Sequence, residues 1–86
     1  MYSIIVGYGE IGRALYKVLE GHYDIGTIKK SKGQTWFNAP KSHKAPEFLE
    51  GFKHNGILHI CFPYSEEFIN EVKRYQELYK PKFTII

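Results

Sequence analysis

The chain has 86 residues, enough for a single domain over 1–86, and its 43% apolar, 24% charged composition excludes a disordered tail or a collagen-like fibre. Twelve basic against nine acidic side chains give a net charge of +3, a mild excess that favours anionic ligands and is small for a domain devoted to nucleic acid. The longest apolar stretch, Ile57 to Tyr64, is interrupted by His59 and falls far short of the roughly 20 residues a membrane-spanning helix needs.

Ser3 to Val6 is an apolar run rather than an alternating one, the pattern of a strand covered on both faces. Beyond Gly7-Tyr8-Gly9 the period changes, and Ile11, Ala14, Leu15, Val18 and Leu19 form the apolar stripe of a helix that Gly21 is placed to stop. Tyr23 to Ile28 reads as a second strand. Lys29 to Lys44 is polar and basic around Trp36-Phe37, and reads as a loop with at most one short strand near Thr35–Asn38. Pro46 suits the first turn of a helix holding Phe48, Leu49 and Phe52, with His54-Asn55-Gly56 as a turn after it.

Ile57 to Phe62 is the best central-strand candidate, closed by Pro63. Ser65 is then a candidate N-cap for a helix with Phe68, Ile69, Val72, Tyr75 and Tyr79 on its apolar face, and Phe83 to Ile86 is a last strand. Strands alternating with helices predict a three-layer α/β fold with a parallel sheet of four or five strands, reduced in the middle.

Gly7-Tyr8-Gly9-Glu10-Ile11-Gly12 has the spacing G-x-G-x-x-G, with a strand before it, an amphipathic helix after it and a second strand beyond. In that setting Gly7 permits the tight turn, Gly9 lets a pyrophosphate approach the backbone, and Gly12 lets the helix lie close to the strand. Free amides at the helix start would hold the diphosphate.

Here "SIIVGYGEIGRALYKVLE" resembles the opening of NAD(P)-binding Rossmann domains. The segment "ILHICFPYSEEFINEVKRYQELYKPKFTII" is similar to the fourth strand, following helix and fifth strand of one branch, that of the 6-phosphogluconate, 3-hydroxyisobutyrate and nucleotide-sugar dehydrogenases. Together the two segments cover residues 2–28 and 57–86. The resemblance implies a dinucleotide-binding module whose pyrophosphate lies on Gly7, Tyr8, Gly9, Glu10, Ile11 and Gly12. It also implies that the loop Phe62, Pro63, Tyr64 and Ser65 lines the cofactor.

Two departures accompany it. A domain that prefers NAD ends its second strand with a carboxylate on the ribose; here that neighbourhood is Ile28-Lys29-Lys30-Ser31-Lys32, and Asp24 comes too early. Lys29, Lys30 and Ser31 would instead border the adenosine ribose and hold a 2′-phosphate, favouring NADP over NAD. Secondly, enzymes of this branch keep their catalytic side chains in a helical domain after the fifth strand, so no catalytic residue is carried over. The expectation is a dehydrogenase-like cofactor domain lacking its catalytic domain, either a fragment of a dehydrogenase or a standalone module that works with a separate catalytic partner domain. The alternative is a non-enzymatic module that senses or sequesters an adenine nucleotide, since "IIVGYGEIGRAL" is also similar to the ligand-gating Rossmann domains of potassium transport regulators.

Other constellations carry less. His59 and Cys61 share a strand face, but with His54 they lack the paired spacing of a zinc site, so no metal is expected. Cys61, the lone cysteine, fits a reducing, cytoplasmic setting. Trp36 and Phe37 among lysines resemble a stacking surface for nucleic acid, yet the segment must also cover the sheet. The apolar edge at Phe83–Ile86 predicts pairing with a second copy.

Overall fold

The computed structural model describes residues 1–31 and 34–86, with Ser31 placed by its backbone alone; Lys32, named above beside the ribose site, lies outside the described residues. The elements are β1 (Tyr2–Val6), α1 (Glu10–Leu19), β2 (Asp24–Ser31), β3 (Gln34–Asn38), α2 (Ala45–Asn55), β4 (Gly56–Ile60), α3 (Phe68–Tyr79) and β5 (Phe83–Ile85). They build one five-stranded sheet in the order β3-β2-β1-β4-β5. The expected α/β architecture is present, with three helices around a mostly parallel sheet.

The centre of the sheet explains the uninterrupted apolar run. β1 lies between β2 and β4 in the plane of the sheet, and helices cover its two faces, α2 and α3 on one and α1 on the other. Ile4 and Val6 join Ile28, Leu58 and Ile60 on one face, under Phe48 and Phe52 of α2 and Phe68, Val72 and Tyr75 of α3. Phe48 and Phe52 are completely buried there, each contributing on the order of 1.5–3 kcal/mol of apolar transfer free energy. Ile5 points the other way and lies beneath Gly12 of α1.

Several expectations are corrected by the tertiary structure. The sheet is mixed: β3 is antiparallel to β2, from Thr27↔Asn38 to Ser31↔Gln34. A hairpin returns the chain within a few residues, whereas a parallel third strand would need a crossover of a dozen or more, which is how the middle unit is shortened. The same pairing lengthens β2. Lys29, Lys30 and Ser31 are strand residues opposite Trp36, Thr35 and Gln34, rather than a loop past the strand.

α1 is turned relative to its expected stripe. Gly12 is its buried residue, Leu15 and Leu19 are half-buried, and Ile11 and Val18 are 72% and 70% exposed. Close approach at Gly12 sets the rotation of the helix, which leaves that side of the stripe uncovered. Ser65 does not cap α3. The helix has Glu67 at its N-cap, and the Ser65 carbonyl accepts the Phe68 N–H at 3.0 Å in the preceding turn. Ile69 is exposed, while the rest of its expected face is buried or half-buried. His54-Asn55 remain helical, and β4 starts at Gly56 with no intervening turn.

No helix among the described residues is long and apolar enough to cross a membrane.

Candidate functional site

The carboxyl ends of β1, β2 and β4 are tied together where the glycine loop begins. The Gly7 N–H donates to the Ile28 carbonyl at 2.9 Å, and the Cys61 N–H donates to the Val6 carbonyl at 2.8 Å. Gly7 has φ +93, and a side chain there would meet the Cys61–Phe62 backbone at 2.9 Å. Both the left-handed conformation and the close approach of the chain ending β4 select glycine.

α1 opens at Gly9, which has no side-chain cap; its carbonyl accepts the Arg13 N–H at 2.9 Å. The amides of Glu10, Ile11 and Gly12, in the first turn, have no partner within the helix and carry the positive end of its dipole. Gly12 rests on the Gly7 carbonyl so closely that a Cβ would overlap that oxygen. Gly9 differs: a Cβ there would have nothing within 4 Å. The protein's own packing therefore gives no reason for glycine at position 9.

Above this loop is an open cleft of about 830 Å³. Gly7, Tyr8, Gly9, Glu10 and Ile11 form its floor and one side. Lys29, Lys30 and Trp36 border the β2–β3 side, and Cys61, Phe62 and Pro63 the β4 side. Alternation along β2 sends neighbouring lysines to opposite faces. Lys29 extends over Tyr8, with Nζ 5.0 Å from the ring centroid, and Tyr8 meets Tyr16 edge-on at 6.0 Å. Trp36, the cross-strand partner of Lys29, is 47% exposed. Phe62 is held from behind by Phe68 at 5.2 Å and Tyr75 at 6.2 Å.

A smaller cavity of about 230 Å³ adjoins the cleft and shares Gly7, Lys30, Phe62 and Pro63 with it. Ser65, Glu71 and Tyr75 line its far side. Here Lys30 Nζ lies 2.8 Å from Glu71 Oε1, joining the end of β2 to the first turns of α3.

Of the residues singled out from the sequence, Gly7 to Ile11, Lys29, Lys30, Phe62 and Pro63 line the cleft, and Gly12 underlies it. Ser65 reaches only the smaller cavity. Tyr64 lies outside both linings, 80% exposed, with its ring tilted against Phe68 at 5.2 Å. Ser31 ends β2. Asp24 sits at the other end of that strand, where Ser42 Oγ and His43 Nε2 approach its carboxylate at 3.5 and 3.8 Å.

Trp36 and Glu71 are among the wall residues that the sequence reading did not supply, with Cys61 on the β4 side and Tyr75 in the smaller cavity. In the sequence Trp36 stands out as an aromatic among lysines, and strand alternation explains its role: Phe37 turns into the core while Trp36 turns to the cleft. Glu71 had no signal, because only the docking of α3 brings it to β2.

Of the remaining polar candidates, Cys61 borders the cleft, while His54 and His59 line neither cavity. His59 is 8% exposed, and its Nε2 has no hydrogen-bond partner; burial pushes its pKa down. Burial pushes the Cys61 thiol up, away from the thiolate form a nucleophile needs. His54 is exposed at the end of α2, 3.5 Å from Glu50. Among the described residues no three His, Cys, Asp or Glu side chains gather into a metal-binding group.

Comparison with protein-family models, with curated proteins and with solved structures finds no match to this chain.

Proposed function

We propose that the chain is a nicotinamide-dinucleotide-binding module, taking NADP or NAD across the cleft at the carboxyl ends of β1, β2 and β4. The empty space beside Gly9 carries this reading. A glycine that no neighbour requires, at the head of a helix whose first amides are unpaired, suits a ligand that must touch the backbone. A pyrophosphate has that geometry and charge. Trp36 offers an exposed ring and Lys29 a cation at the end of the cleft where the adenosine would lie. Phe62 and Pro63 would border its middle or nicotinamide end.

The ligand itself would supply hydride chemistry, and this chain would bind and orient it. Turnover would then need catalytic side chains from another domain, of the same protein or of a partner. Calorimetric titration of the chain with NADP and NAD tests the reading. We expect binding of at least one dinucleotide, lost in Gly9→Val while the thermal melt stays unchanged. Lys29→Ala is expected to weaken NADP more than NAD. Binding of AMP or ADP with none of either dinucleotide would replace this reading by an adenine-nucleotide sensor. Absence of all binding would remove both.

A further inference from the structure

Lys30 is expected beside the adenosine ribose, yet its ammonium is already engaged. The pair with Glu71 measures 2.8 Å, and the two side chains are 51% and 18% exposed. It stands where the large cleft meets the smaller cavity, since Lys30 lines both and Glu71 lines the second. Lys29, on the opposite face of β2, is occupied differently, over the Tyr8 ring.

A 2′-phosphate carries close to two negative charges. To use Lys30 it must displace Glu71, and the displaced carboxylate then faces an anion of like sign. A ribose hydroxyl carries no charge, so it can be admitted without displacing either member of the pair. A carboxylate from α3 thus stands at the end of β2, held there by its pairing with Lys30.

We infer that Glu71 is a specificity-determining residue of the cleft: it withholds Lys30 from a 2′-phosphate and so restrains the preference for NADP over NAD. This rests on the dinucleotide reading above. It goes further in assigning the choice between the two cofactors to a helix residue outside the glycine motif.

The test is calorimetric titration of NAD and NADP into the wild type, Glu71→Gln, Lys30→Gln and the double variant, with a circular dichroism melt of each. Glu71→Gln is expected to tighten NADP by about tenfold while NAD changes by less than about twofold, because only the phosphate gains the released cation. Adding Lys30→Gln to it abolishes that gain. Lys30→Gln alone changes NADP binding by less than about threefold, since a cation already paired contributes little. An unchanged NADP-to-NAD ratio in a folded Glu71→Gln that still binds a dinucleotide overturns the role of Glu71 and leaves the cofactor reading standing. A loss of NADP affinity of about tenfold in Lys30→Gln alone does the same without needing the Glu71 variant to fold, because it shows Lys30 already available. Failure of the wild type to bind either dinucleotide overturns the cofactor reading and this inference together.

Discussion

Gly9 and Gly12 stand in one loop and meet an added methyl group in opposite ways. At Gly12 the methyl would overlap the Gly7 carbonyl, so α1 must move off the sheet. Overpacking of this kind costs about 1–3 kcal/mol. At Gly9 the methyl enters open space, and stability should hold within about 0.5 kcal/mol. Urea melts of Gly12→Ala and Gly9→Ala check the pair, and equal midpoints would show that the helix is not seated as described. His59 supplies a second expectation at this scale. Its folded pKa lies below the ordinary value of 6.5, so the unfolded chain takes up a proton more readily than the folded one. Its contribution to stability is complete above pH 6.5 and declines as pH falls below it, levelling off beneath the folded pKa. The slope of unfolding free energy between pH 7.5 and 5 should be shallower in His59→Leu than in the wild type, because leucine has no proton to gain. Equal slopes in urea titrations would remove His59 as the source.

Among the elements, the helices differ in how firmly they are held. α2 and α3 bring Phe48, Phe52, Phe68, Val72 and Tyr75 to one core, whereas α1 buries little beyond the glycine seated on the loop. The element carrying the candidate site is therefore the one least anchored by apolar contact, and local opening should begin there. The end of α3 holds a different liability. Lys80 is in the left-handed conformation at φ 54, with its N–H on the Gln76 carbonyl. Glycine is the residue suited to that position. Lys80→Gly should raise stability by roughly 0.5–1 kcal/mol, read as a higher urea midpoint, and a lower midpoint would contradict the cap geometry.

For the molecule as a whole, apolar surface remains at an open edge of the sheet. Phe83, Ile85 and Ile86 are 57%, 52% and 75% exposed, and β5 is paired only with β4 among the described strands. An edge of this kind invites another chain. We expect self-association that grows with concentration, reduced by Phe83→Glu, in light scattering. A sharp monomeric mass at high micromolar concentration would count against it. The cleft proposed to bind a dinucleotide lies elsewhere, at the carboxyl ends of β1, β2 and β4, so pairing at this edge leaves it open.

Much of this architecture could be read in advance because it depends on short-range patterns. The apolar run of β1, the glycine spacing and the following change of period each occupy a few consecutive residues, and their meaning survives in almost any context. Phe48, Phe52, Val72 and Tyr75 were similarly legible from helical spacing. The direction of β3 was not, since a short basic segment carries no mark of the strand it will pair with. That pairing alone turned Lys29 and Lys30 into strand residues facing opposite sides. The rotation of α1 depended on how closely Gly12 could approach the Gly7 carbonyl. The position of Glu71 depended on where α3 came to rest, 41 residues along the chain from Lys30. Local spacing determined the loop and the order of elements; the tertiary structure decided which charges meet across the cleft, because charge pairing is set by distance in space and not along the chain.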